Sequence, residues 1–363
     1  MDSESGRHLC MNFDYFDMTC SAGARENSLY GPERMRRHFR RCADAGFTRI
    51  FFRVSAFGTV VYPSKVATPF SRDFRVRCMW LKRNMDAFDP LAAAIEEAHA
   101  AGLKIYAWVT LFDSYMHWLD DGYFRNNPDC YMLSRGQDLY FPVPCYAVEK
   151  TRAYRLREAE ELLDYGIDGI FYSVHSHSGT VAKVYPWDAL GPLSIGFNPP
   201  VVHRYRDKHG VDILHEPPDA AKLRDVHAEF FNLFLRYVRG TAAVRNCKLI
   251  CTSDSCKYWD YPPNHGYVEV GMDWPAWLRE GVVNEACLIR WSIDDDRIFH
   301  EDADLSRLIS WIWIHGGESQ LPRVRRHVDF CRDHGIGGIT FHEAEVFEFD
   351  CPEYWRVAES FLK

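Results

Sequence analysis

Acidic residues are the first groups whose chemistry stands out in this sequence. Asp254 ends one predicted strand, and Glu343 and Glu318 follow two others closely. Two facing carboxyl groups can protonate a leaving oxygen and act as nucleophile or base, as glycosidic bond cleavage requires. We take Asp254 as the first choice for one carboxylate of such a pair. For its partner, Glu343 ranks ahead of Glu318.

Charged, histidine and tryptophan side chains near predicted strand ends form a second group. Buried polar groups need partners, so a converging set of them suggests a cup that binds a ligand. Tryptophan rings and hydrogen-bonding groups together suit a sugar. The candidate binding residues are Asp14, Arg53, Trp108, His175, His177, Arg290, Trp291 and His342.

The histidines also allow a different chemistry. His175 and His177 form an HxH pair of the kind that some metal-dependent hydrolases use. The remaining ligands of such a site cannot be identified, so we predict no metal and no other cofactor. The sequence contains no phosphate-binding loop, no dinucleotide fingerprint and no GxSxG nucleophile elbow.

One helix, turn and strand in succession indicate the elements that carry these residues. Asp89 can cap a helix whose first residue is Pro90, and Gly102 is suited to the left-handed conformation that ends it. Residues 105–111 then alternate in type, which is typical of a strand with two different faces. The same order recurs around Gly46, Gly166 and Gly335, which predicts parallel strands joined by helices.

Eight strands can be placed in this way; the sixth and seventh are the least sharply defined, because Trp311-Ile312-Trp313-Ile314 is also compatible with a helix. Eight strands alternating with helices predict an α/β fold, a closed (β/α)8 TIM barrel with long βα loops. Residues 1–363 are expected to form a single barrel domain without a linker. The predicted strands are His8–Asp14, Thr48–Val54, Lys104–Thr110, Ile167–Ser173, Lys248–Thr252, Ala286–Ile289, Ile312–Ile314 and Gly338–Phe341.

Three long connections, 55–88, 113–149 and 174–225, follow predicted strands two, three and four. They lie on the C-terminal side of the strands, where barrels of this kind build their sites. Alternation along each strand places one polar residue near that end on the axis side. By this parity we expect Arg53 and Arg290 to point into the cup, where they would offset Asp14 and Asp254 and could bind an acidic or sulfated sugar.

Composition limits the classes of partner. The 363 residues carry a net charge of −8 without a basic run, which argues against nucleic acid. No apolar segment reaches the length that spans a membrane. The 12 cysteines lack a CxxC pair, which favours buried, reduced thiols and a cytoplasmic location, or a secreted or periplasmic one if a signal peptide has been removed. The expected partner is a glycan; the oligomeric state stays open.

Several segments resemble a family of bacterial proteins. They are 89–108, the Asp168-Gly169-Ile170 strand, the run from Gly196 to Val202, and residues 277–283. Together they resemble the family-10-like bacterial glycosyl hydrolase group, over roughly residues 86–345. The resemblance implies a TIM barrel that acts on a glycan.

The sequence departs from this pattern after the fourth strand. Relatives of this type often carry an acid there, whereas residues 172–177 read Tyr-Ser-Val-His-Ser-His. The leading hypothesis is a glycoside hydrolase acting on a polysaccharide or oligosaccharide. The alternatives are a carbohydrate-binding barrel without catalysis and a metal-dependent hydrolase that uses the region of His175 and His177.

Overall fold

A computed structural model gives the fold of the protein. It describes residues 6–20, 31–56, 58–70, 79–112, 122–138, 140–174, 195–254, 271–289, 304–314, 317–342, 344–347 and 351–363. No helix in this described part is long and apolar enough to cross a membrane.

Eight parallel strands close into a barrel in the order β1-β8-β7-β6-β5-β4-β3-β2. The predicted (β/α)8 barrel is therefore confirmed. The strands are β1 (His8–Phe13), β2 (Arg49–Arg53), β3 (Lys104–Thr110), β4 (Gly169–Ser173), β5 (Lys248–Asp254), β6 (Glu285–Ile289), β7 (Leu308–Ile312) and β8 (Gly338–Phe341).

Ten α-helices occur in the described part of the chain, and most lie between barrel strands. They are α1 (Tyr15–Cys20), α2 (Pro32–Asp44), α3 (Met79–Ala87), α4 (Pro90–Ala100), α5 (Glu149–Leu163), α6 (Pro199–His209), α7 (Ala220–Val244), α8 (Trp274–Arg279), α9 (Leu321–Asp333) and α10 (Glu353–Glu359). The connections after β2 and β3 also contain short strands outside the barrel, at Ser55–Ala56, Thr59–Val60, Thr68–Pro69, Tyr131–Leu133 and Tyr140–Pro144.

The predicted helix-to-strand unit forms as its residues suggest. The Asp89 carboxylate accepts hydrogen bonds from the Leu91 and Ala92 amides at 3.0 and 3.1 Å, and so caps α4. Gly102 has a φ of 74°, which permits the turn from α4 into β3.

The position of β7 differs from the prediction. The strand covers Leu308–Ile312 rather than Ile312–Ile314. All five of its residues are buried, because helices cover one face and the barrel interior fills the other. No helix and glycine turn precede it in the sequence, so nothing there marked where the strand begins.

Contacts between strands that are not neighbours show which side chains fill the interior. Arg49 of β2 forms an ion pair with Glu285 of β6, although these strands lie on opposite sides of the barrel. Above this pair, Phe51 of β2 stacks on Phe171 of β4, with ring centroids 4.1 Å apart. The N-terminal half of the barrel is therefore filled, and a ligand site belongs at the other end.

Candidate functional site

A buried ion pair lies at the C-terminal ends of β1 and β2. Arg53 ends β2 and donates a hydrogen bond to Asp14, the residue after β1. Both residues are 2% exposed. The neighbouring strands β1 and β2 hold the two groups at the same height, so the carboxylate and the guanidinium largely neutralise each other.

Aromatic rings surround the guanidinium of this pair. Its carbon lies 5.3 Å from the ring centroid of Trp108, the register partner of Arg53 on β3. The Phe16 ring approaches it at 5.6 Å. A planar cation between two ring faces is held in one orientation, so Arg53 presents a fixed set of donors.

Two tryptophans meet across the barrel beneath the ion pair. The rings of Trp108 on β3 and Trp311 on β7 pack edge to face, with centroids 5.3 Å apart and an interplanar angle of 83°. These strands lie opposite each other in the barrel, so the contact crosses the axis. Phe171 of β4 packs against both rings, at 6.2 and 5.8 Å.

The end of β8 adds a histidine to this aromatic group. His342 stacks on Trp313 with centroids 3.8 Å apart and an interplanar angle of 12°. Its ring also lies 5.6 Å from that of Trp311. His342 is 7% exposed, whereas Trp313 is only partly buried. Trp313 thus joins the buried rings to the surface of the molecule.

A layer of hydrogen-bond donors lies at the level of the tryptophans. The Thr340 hydroxyl of β8 donates to Asn12 Oδ1 of β1 at 2.7 Å. Within the described residues, Asn12 Nδ2 and the indole N–H groups of Trp108 and Trp311 are buried without a hydrogen-bond partner. Buried N–H groups rarely stay unpaired in folded proteins, so these three deserve a functional explanation.

The connections after β3 and β4 are joined to each other by Asn198. Its side-chain oxygen accepts from the Leu133 amide at 3.0 Å, and its nitrogen donates to the Tyr131 carbonyl at 2.8 Å. The Gly196 and Phe197 amides both donate to the Leu133 carbonyl, at 2.9 and 3.0 Å. Asn198 and the two residues before it therefore join the connection after β4 to residues 131–133, which also pair with the short strand Tyr140–Pro144.

The predicted site residues divide into those that the structure brings together and those outside its described part. Asp14, Arg53, Trp108 and His342 belong to one buried group around the C-terminal ends of β1, β2, β3 and β8. Asp254 is the last residue of β5, and its side chain lies outside the described part. The residues wholly outside it are His175, His177, Arg290, Trp291 and Glu343.

Two observations limit the candidates from the later strands. Glu318 is exposed at the start of a short 3₁₀ helix, Glu318–Gln320. In β6, the Arg49 contact places Glu285 inside the barrel, so alternation puts Cys287 and Ile289 on that side as well. The sequence predicts the opposite alternation for strand six, with Arg290 rather than Ile289 facing the axis. The inward orientation of Arg290 stays a prediction.

The structure corrects the interpretation of Trp311 and decides that of Trp277. Trp311 was missed as an interior residue because the predicted strand began one position after it. Trp277 lies in one of the segments that resemble the glycosyl hydrolase group, and its sequence context left both sugar binding and loop packing open. It is 1% exposed and donates its indole N–H to Asn232 at 2.7 Å, so it packs α8 against α7.

The described residues show no feature of a metal or disulfide site. Nine of their cysteines are free, and all nine are buried. Burial raises the pKa of the Cys145 thiol to about 12, as expected for a cysteine that serves as a small apolar side chain. Within the same part of the chain, no three His, Cys, Asp or Glu side chains are grouped in a way that could hold a metal ion.

Comparison with known proteins relates the barrel to solved structures. No protein-family model matches the sequence, and the comparison with curated proteins gives no match. The PgaB (BpsB) glycoside hydrolase domain from Bordetella bronchiseptica is similar in structure, with a TM-score of 0.59 and 11% identity over 99% of this chain and 99% of that chain.

Two further structures show the same architecture. The catalytic domain of β-amylase from Paenibacillus polymyxa has a TM-score of 0.52 and 11% identity, over 92% of this chain and 91% of that chain. A chitinase from Chromobacterium violaceum has a TM-score of 0.50 and 10% identity, covering 98% and 99%. The protein is thus a TIM-barrel protein whose structural neighbours include glycoside hydrolases. At these identities the likeness establishes the fold.

Proposed function

We propose that this protein is a glycoside hydrolase that acts on a polysaccharide or oligosaccharide at the C-terminal end of its barrel. The observation that carries the proposal is the buried group formed by Asp14, Arg53, Trp108, Trp311 and His342. Aromatic faces bind the apolar faces of sugar rings, and a fixed carboxylate and guanidinium bind hydroxyl groups. The glycoside hydrolases among the structural neighbours support this choice.

Catalysis requires two carboxyl groups, and Asp254 is our candidate for the first. It ends β5, at the end of the barrel where sites of this fold lie. Glu343, which follows β8 closely, is the preferred partner, and Glu318 is the second choice. One carboxylic acid would protonate the leaving oxygen while the other attacks the anomeric carbon or activates water. A separation of about 5 Å would give retention of configuration, and roughly 6.5–9.5 Å would give inversion.

Binding roles remain for the other candidates in this proposal. Asp14 has Arg53 as its partner and therefore serves as a fixed acceptor rather than as the acid. His175, His177, Arg290 and Trp291 are proposed to contact sugar from the connections after β4 and β6. Membership of the family-10-like group and the organisation of residues 1–363 as one domain belong to the same proposal.

The test replaces Asp254 by Asn and measures hydrolysis of a glycan panel beside the parent protein. Loss of a catalytic carboxylate should lower kcat by about 10²–10⁴-fold while the melting temperature stays within a few degrees. Glu343→Gln should behave alike, and Asp129→Asn, at an exposed residue, serves as the control. Activity of Asp254→Asn within a few-fold of the parent would remove Asp254 from the mechanism.

A carbohydrate-binding barrel without catalysis is the second candidate, and one observation favours it. Strand β4 reads Gly-Ile-Phe-Tyr-Ser and supplies no acid. In this case the parent protein would bind glycans and cleave none of the panel. Metal analysis of the purified protein in the same experiment would separate both candidates from a metal-dependent hydrolase.

A further inference from the structure

The three unpaired N–H donors described above lie at one level of the barrel. Trp311 of β7 is the register partner of Thr340 on β8, and the Thr340 hydroxyl bonds Asn12 of β1. Trp108 reaches this level from β3 through its ring contact with Trp311. Asn12 is fully buried, and each tryptophan is only 2% exposed.

Such donors lose their hydrogen bonds to water on folding and need another acceptor. A contrast within the chain supports this reading, because the buried indole N–H of Trp277 does have a partner, Asn232 Oδ1, at 2.7 Å. The tryptophans of the barrel interior lack one in the described structure. The described residues therefore supply no acceptor to these donors, and a bound group can supply it.

The donor set discriminates between possible acceptors. A sugar hydroxyl both accepts and donates, whereas a carbonyl oxygen accepts through two lone pairs and donates nothing. A layer of N–H donors consequently suits a carbonyl oxygen better than a hydroxyl. A carbonyl oxygen occurs both in a neutral amide and in a charged carboxylate, and the local charge distinguishes these two groups. Among the described residues, the guanidinium above Trp108 is already paired with Asp14, so this layer itself carries no excess positive charge that would favour a carboxylate.

We infer that this layer, Asn12, Trp108 and Trp311, is a subsite for the acylamino group of a substrate sugar. The inference rests on the proposed function and names its substrate class: a glycan that contains N-acylated amino sugars. The amide carbonyl accepts from the layer, the acyl methyl packs against the indole rings, and the Asp14 carboxylate is the type of acceptor that the amide N–H requires.

The test compares matched methyl glycosides by NMR titration of the intact protein. The probes are N-acetylglucosamine and N-acetylgalactosamine, their unsubstituted parents glucose and galactose, and glucuronic acid. We expect at least one N-acetylated sugar to bind at least about tenfold more tightly than its unsubstituted parent. Equal or tighter binding of the unsubstituted sugar or of glucuronate overturns the inference, and so does an absence of binding.

Variants then assign the discrimination to the layer. Trp311→Phe and Trp108→Phe keep an aromatic ring and remove the N–H, and should bring the ratio of affinities close to one. Trp277→Phe is the matched control, since it removes a buried indole N–H outside the site, and should leave the ratio unchanged. An unchanged ratio in both interior variants overturns the inference. The parent protein alone already decides the sugar preference if a variant fails to fold.

These binding measurements separate the inference from the proposed function. Selective binding of N-acetylated sugars by a protein that cleaves no glycan refutes the hydrolase and supports the subsite. The opposite result is hydrolysis of a glycan that has no acylamino groups, with a rate in Trp311→Phe within about twofold of the parent. That result supports the hydrolase and overturns the subsite.

Discussion

Arg53 and Asp14 are two buried charges for which we propose a role in sugar binding. Each side chain is 3% exposed, so each charge has lost most of its contact with water. Such a pair contributes little net stability compared with apolar residues, but removal of one partner leaves the other charge buried. A protein keeps this arrangement where a fixed charge or hydrogen-bond donor is useful, as at a sugar-binding site.

The first prediction is a double-mutant cycle on this pair. Arg53→Met and Asp14→Asn should each lower the free energy of unfolding by about 3–5 kcal/mol. The double variant should lose clearly less than the sum of the two, because it removes both charges of the pair together. Urea unfolding at pH 7 measures all four proteins. Simple additivity would show that the two groups are not coupled, contrary to the ion pair.

His327 on α9 leads to a prediction about pH. Burial, together with the nearby charge of Arg323, lowers the pKa of its imidazole from 6.5 to about 3. The ring lies 2.8 Å from the Ser310 hydroxyl of β7. Between pH 6.5 and about 3 the unfolded chain therefore binds a proton at this residue that the folded protein does not. Stability contributed by the neutral ring is present above pH 6.5 and falls as the pH is lowered.

We expect this histidine to contribute a slope of about 1.4 kcal/mol per pH unit to the free energy of unfolding below pH 6. His327→Gln should reduce the slope between pH 6 and 4.5 by about that amount. Some slope should remain, because burial also lowers the pKa of His227, to about 4. His203→Gln, at an exposed histidine of α6, is the control and should leave the slope unchanged. An unaltered slope in His327→Gln would contradict the prediction.

At the scale of elements, the strands that follow a helix and a glycine turn could be predicted, whereas β7, which has no such unit before it, was misplaced. The succession of helix, Gly102 turn and strand predicted a strand at Lys104–Thr110, and β3 has those bounds. Leu308–Ile312 is buried throughout, so no alternation revealed which residues face the axis. Glu285 was missed for a similar reason: it precedes an apolar run that looked like the whole strand. The aromatic layer therefore required the structure.

The connection between two loops through Asn198 gives a prediction at this scale. Asn198→Ala leaves the Leu133 amide and the Tyr131 carbonyl without their partner, and should lower the free energy of unfolding by about 1–3 kcal/mol. Asn198→Asp keeps the acceptor for Leu133 and should recover only part of the loss. Urea unfolding compares the three proteins. Equal stability of Asn198→Ala and the parent would show that the two connections hold together without this side chain.

At the scale of the whole molecule, the two ends of the barrel carry different kinds of buried charge. The C-terminal end holds Asp14 and Arg53 beside aromatic rings. The N-terminal end holds the Arg49–Glu285 pair, and Lys248 Nζ donates to Glu285 Oε1 at 3.0 Å. Burial alone would raise the pKa of Glu285, but the charges and hydrogen bonds of Arg49 and Lys248 together outweigh it and keep that pKa below its ordinary value. In this fold the N-terminal end serves stability and the C-terminal end serves the site.

The last prediction tests this division of roles. Glu285→Gln removes the carboxylate that pairs with Arg49, which is 0% exposed, and should lower the free energy of unfolding by about 3–5 kcal/mol. Glu280→Gln is the matched control, because its pairing with Arg236 is exposed on both sides and should contribute less than about 1 kcal/mol. Under conditions where each variant is folded, both should keep kcat/KM or the glycan affinity within about twofold of the parent. A large loss of activity in folded Glu285→Gln would mean that the charge at the N-terminal end of the barrel also controls the site at the other end.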